Sequence, residues 1–169
     1  MMRKLVLIVI LLLASCSRSP ITPGIDNTKP LNYTTKFVRT YPYDIDAQYP
    51  KYYLFNTYDS FSKYLENDAL TFGGYEDNQE ISNLIKKYDE DYFNSHSLVI
   101  LLLLEPSGSI RHQIESVKIV ENVLHVNLVK RVPEIGDSAM AVWSIFIELD
   151  KNNEKVKELE VSSETTELK

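Results

Sequence analysis

His96, His112 and His125, the single cysteine Cys16, and the acidic groups Glu76-Asp77 and Asp89-Glu90-Asp91 are the side chains in this chain best suited to chemistry. An imidazole can move a proton or ligate a metal, a thiol can attack or be acylated, and clustered carboxylates can hold calcium. Spacing works against most of these uses. The chain contains no HExxH, GxSxG or Walker sequence, and no second cysteine to serve as a catalytic thiol. The acidic run lacks the glycine and the spacing of an EF-hand loop, and solvated acids at a helix end account for it. No cofactor or metal is expected, and the chain reads as non-enzymatic. Contact chemistry is better represented. Seven tyrosines lie between Tyr33 and Tyr58. Tyr41, Tyr43, Tyr52 and Tyr53 are candidate contacts for peptide or sugar, because each ring joins a flat apolar face to a hydrogen-bonding tip. The same rings could instead cover a sheet.

The elements that must position these residues begin with a leader. Arg3 and Lys4 precede ten apolar residues, Leu5 to Ala14, and Ser15 and Cys16 follow. Residues 1–15 therefore read as a secretory signal peptide. The apolar run is shorter than the roughly 20 residues that cross a membrane. An exported protein with one unpaired cysteine is open to intermolecular oxidation, which acylation of the thiol would remove. Without Arg3 and Lys4 the chain carries 16 basic against 24 acidic side chains, a net charge of −8. That charge argues against a nucleic-acid partner and against adhesion to anionic lipid headgroups.

Pro20, Pro23 and Pro30 mark residues 16–36 as a flexible tether. A single α+β domain is expected over 37–161 and a frayed, disordered tail over 162–169. Tyr52 to Phe55 reads as a short strand. Two helices follow, the first capped by Asp59 or Ser60. Gly73-Gly74 separates it from the second, capped by Asn78 and carrying the stripe Ile81, Leu84, Ile85, Tyr88. Leu98 to Leu104 is apolar on both faces and suits the centre of a sheet. Ile110–Val120 and Val123–Val132 form a hairpin about Glu121-Asn122, pairing Val120 with Val123. That register sets His125 opposite Lys118 and His112 opposite Arg131. Both imidazoles then lie outward among cations, roughly 20 Å apart and unable to share a metal. A bulge near Glu115 or Ser116 would return Ile114 to the core. Ala139 to Asp150 is a last long strand, and Val156, Leu159 and Val161 suggest a short edge element. The expected fold is α+β, with two N-terminal helices packed on a mainly antiparallel sheet.

Leu13-Ala14-Ser15-Cys16 resembles a bacterial lipobox. That resemblance implies cleavage between Ser15 and Cys16, diacylglycerol and a further acyl chain such as palmitate on Cys16, and a lipid-anchored position outside the cytoplasm. Ser17 stands where an aspartate commonly retains lipoproteins in an inner membrane, which favours the outer membrane in a cell with two. Residues 88–149 resemble the PrcB-like C-terminal domain. The resemblance rests on Tyr88-Asp89-Glu90-Asp91-Tyr92-Phe93, Ser97-Leu98-Val99-Ile100, the turn Pro106-Ser107-Gly108 and Ile114-Glu115-Ser116-Val117. That family is named for a bacterial surface protein that associates with a subtilisin-type protease complex, so a protein or protease partner is implied. The chain departs from the family at Ser109-Ile110-Arg111, where a second glycine and an aromatic are usual.

Together these readings predict a membrane-anchored envelope lipoprotein acting as a protein-binding or protease-associated accessory module. Its expected contacts are Pro106, Ser107 and Gly108, the 134–138 loop, and the tyrosines from Tyr41 to Tyr53. The alternative is a small-ligand or carbohydrate-binding lipoprotein with a tyrosine-rich pocket. A hydrolase whose site no motif marks is the third.

Overall fold

The computed structural model describes residues 31–40, 47–68, 79–151 and 156–168. Ser15, Cys16, Tyr41, Tyr43, the Gly73-Gly74 loop and the expected cap Asn78 lie outside the described residues.

Strand β1 (Tyr33–Thr40) and strand β2 (Lys51–Phe55) come first. Helices α1 (Tyr58–Asp68), α2 (Gln79–Lys87) and α3 (Glu90–Ser95) follow. The chain then runs through β3 (His96–Glu105), β4 (Arg111–Val120), β5 (Val123–Pro133), β6 (Ala141–Asp150) and β7 (Glu158–Leu168). One antiparallel sheet has the order β1-β6-β3-β2, and a second has the order β4-β5-β7. Within the second, β5 and β7 run parallel.

Alternation along β3 explains the layering. Leu98, Ile100 and Leu102 face the helices, while Val99, Leu101 and Leu103 face the second sheet. A strand apolar on both faces belongs inside, and β3 lies between β2 and β6. The layers are helices, four-stranded sheet and three-stranded sheet. On the helix side, aromatic rings pack edge to face: Phe61 meets Tyr88 at 5.9 Å, and Phe55 meets Phe61 at 5.3 Å. Such pairs add about 0.5–1.5 kcal/mol each beyond the area they bury.

The α+β class holds, but several details differ from expectation. The helices follow two strands rather than opening the domain. Strand β1 begins at Tyr33, inside the expected tether. Helix α1 is capped by Thr57, whose hydroxyl accepts the Ser60 N–H at 3.3 Å, not by Asp59 or Ser60. Asp89-Glu90-Asp91 opens a third helix. The Asp89 carboxylate accepts the Tyr92 N–H at 2.9 Å, and Glu90 and Asp91 lie at the positive end of the α3 dipole. At the far end of α3, Lys151 Nζ donates to the Phe93 carbonyl at 2.6 Å. Ser162 to Leu168, expected to fray, are the second half of β7.

The hairpin keeps the expected register from Val120↔Val123 to Ser116↔Asn127, then shifts between Ile114 and Ser116. Glu115 is the extra residue, and Ile114 is buried opposite Leu128. Glu121 and Asn122 both adopt positive φ, 52° and 68°, as a two-residue hairpin turn matched to strand twist requires.

Candidate functional site

Strand β1 gives the molecule two poles. Tyr33, at the start of the strand, pairs with Leu149, and Thr40, at its end, pairs with Val142. Eight extended residues put the two ends about 25 Å apart. Two features lie at the Thr40 pole, away from Tyr33.

The first is a pair of braced loops. The Asp137 carboxylate accepts the Gly108 N–H at 2.7 Å and the Ser107 hydroxyl at 3.1 Å. The Asp137 N–H donates to Ser109 Oγ at 3.0 Å, and Gly108 N–H also reaches the Ala139 carbonyl at 2.8 Å. Desolvation alone would raise the Asp137 carboxyl. Hydrogen bonds from Gly108, Ser107 and Ser109 and the nearby Arg39 charge outweigh it and hold the group below its ordinary value. The two glycines let the loops sit close to their neighbours' side chains. A Cβ on Gly108 would fall 1.9 Å from Arg39 Nη2, and one on Gly136 2.7 Å from Ser107 Oγ. Beside this clamp Ile135 stands 88% exposed. The expected contacts Pro106, Ser107 and Gly108 and the 134–138 loop are thus brought together.

The second is a cleft of 480 Å³ at the open corner between β2 and β7. It exists because the inward stripes of four strands turn from aliphatic to polar at this end, β7 one pair before the others. The stripe facing between the sheets runs Val99, Leu101, Leu103 and then Glu105 on β3. It runs Val117, Ile114 and then His112 on β4, and Leu124, Val126, Leu128 and then Lys130 on β5. On β7 it runs Leu159, Val161 and then Ser163 and Thr165, the register partners of Leu128 and Lys130. The aliphatic layer therefore ends in a polar one. His112 Nε2 meets Glu105 Oε1 at 3.0 Å, and Lys130 Nζ donates to Glu105 Oε2. The side chains of His112, Glu105 and Lys130 are 0%, 6% and 27% exposed. Burial alone would raise the Glu105 carboxyl, but hydrogen bonds from His112 and Lys130 and their charges hold it below its ordinary value. The other imidazole nitrogen, Nδ1, is buried without a hydrogen-bond partner. Tyr49, Pro50 and Tyr52 also line the cleft.

Two expectations about histidines are corrected here. The Glu115 bulge moves His112 opposite Lys130 and turns it inward, so it is neither exposed nor paired with Arg131. His125 does face Lys118, but its Nδ1 lies 3.2 Å from Glu160 of β7. His96 stacks on Tyr92 at 4.9 Å. Among the expected tyrosine contacts, Tyr52 lines the cleft. Tyr53 turns the other way, its ring 4.6 Å from that of Tyr64 in the aromatic core. Among the described residues no three His, Cys, Asp or Glu side chains gather where they could hold a metal ion. The Glu105–His112–Lys130 cluster escaped sequence reading, although its signal was present in the polar residue ending each inward stripe. No family model, curated protein or solved structure matches the chain.

Proposed function

We propose that this chain is a membrane-anchored envelope lipoprotein, held by acyl chains on Cys16, that works as a non-enzymatic protein-docking module. Its docking element is the Ile135 loop at the pole away from the tether. The observation that carries this reading is the bracing of that loop. A single exposed isoleucine on a mobile segment would lose much of its binding energy to ordering. Here the Asp137 hydrogen bonds have ordered the loop beforehand. Burying Ile135 on a partner is then worth about 1.5–3 kcal/mol, a ten- to hundredfold gain in affinity. The resemblance of residues 88–149, which include this loop, to the PrcB-like domain supports a partner of the protease-complex kind.

The test is co-purification of the full-length lipoprotein from detergent extracts of its own cells, against an Ile135→Asp variant. A discrete envelope protein is expected with the parent chain, reduced at least about tenfold in the variant. Equal recovery by both chains, or none by either, rejects the reading.

A further inference from the structure

We propose that the cleft beneath Tyr52 is a binding site for an uncharged saccharide. This does not rest on the docking reading, because no residue of the 134–140 loop lines the cleft.

Charge balance disfavours singly charged ligands first. The Glu105 carboxylate is already bonded by Lys130 and His112. An anionic ligand drawn to Lys130 would meet that carboxylate, and a cationic ligand drawn to Glu105 would meet the ammonium. A neutral ligand meets neither penalty. A hydroxyl-rich ligand suits the mixture of groups presented. Lys130 has further N–H donors, Glu105 has further lone pairs, and Ser163 and Thr165 each donate and accept. Sugar hydroxyls also do both. The wall supplies what a sugar's C–H face needs: Tyr52 is 37% exposed on an edge strand, with Tyr49 beside it. The cleft's 480 Å³ falls within the roughly 300–1,000 Å³ of small-molecule sites and has room for a short oligosaccharide.

Trp143, the only tryptophan in the chain, reports on this site, because its ring lies 6.0 Å from that of His112. The full-length protein in a detergent without a sugar headgroup is titrated with chitotriose, cellotriose and maltotriose. Trigalacturonic acid and trialanine serve as the anionic and peptide probes. Saturable change in Trp143 emission is expected with at least one neutral trisaccharide at millimolar concentration or below. Tyr52→Ala should weaken it about tenfold or more and Thr165→Val several-fold, while Ile135→Asp leaves it unchanged. If Tyr52→Ala fails to fold, the exposed edge variant Thr165→Val decides alone. The proposal is overturned if no neutral sugar saturates, if trigalacturonic acid or trialanine binds more tightly, or if the cleft variants bind like the parent. A lost sugar response with intact co-purification sinks this inference and leaves the docking reading standing.

Discussion

Replacing Lys130 with methionine tests the buried ion cluster most sharply. The change keeps the aliphatic stem and removes the ammonium that donates to Glu105 Oε2. Removing one partner of a fully buried pair costs about 3–5 kcal/mol, and of an exposed pair about 0.2–1 kcal/mol. Here the carboxylate is 6% exposed and the ammonium 27%, and His112 remains as a second donor. An intermediate loss of about 2 kcal/mol follows at neutral pH. With a urea slope of about 2 kcal/mol per molar, the midpoint should fall by about 1 M. The pH dependence carries a sign. Glu105 sits below its ordinary value in the folded protein. Its contribution is therefore full above the ordinary carboxylate pKa and is lost as pH falls through the lower folded value. In Lys130→Met, burial is less opposed, so the folded carboxyl moves up and the deficit against the parent shrinks on acidification. Adding Glu105→Gln should recover part of the loss, giving a favourable coupling in the double-mutant cycle. Urea titrations of the four chains at neutral pH and at about pH 4 decide it. A loss below about 0.5 kcal/mol at neutral pH, or one that grows on acidification, would refute the buried-pair reasoning.

Glu121→Asn should stabilise the hairpin by about 0.5–1 kcal/mol, because asparagine tolerates the positive φ that Glu121 adopts, and thermal unfolding reads it. Asp89→Ala should cost about 1 kcal/mol by removing the α3 cap and should speed amide exchange at Tyr92, measured by hydrogen–deuterium exchange. Cys16→Ala should abolish labelled-palmitate incorporation and release the chain from the membrane pellet, since no other strong anchor is expected.

How far the fold was legible depended on whether a local pattern carried its own constraint. Leu98 to Leu104 is too short and too uniformly apolar for a surface helix, and it is the inner strand β3. Val120 and Val123 flank a two-residue turn, which set the register through Ser116. The Glu115 bulge was legible from the conflict it resolves at Ile114. Its further consequence is that the residues of β4 that precede it change face, His112 included. Leu159 and Val161 marked the start of edge strand β7, but its continuation through Leu168 escaped because residues 162–168 are mostly polar and exposed, so only pairing with β5 identifies them. The acidic run was misplaced because helix α2 stops at Lys87, and Asp89 starts a new helix instead of ending the old one. The braced loops needed tertiary structure, since Asp137 and Gly108 are separated by 29 positions.

Docking at the pole away from the lipid anchor is tested most directly by photo-crosslinking in intact cells. The full-length anchored chain carries a photoreactive amino acid at position 135 or, for comparison, at Val120, an exposed position at the Tyr33 pole. A discrete adduct with an envelope protein is predicted from position 135 and not from position 120. Adducts of equal intensity from both positions, or none from position 135, would contradict it.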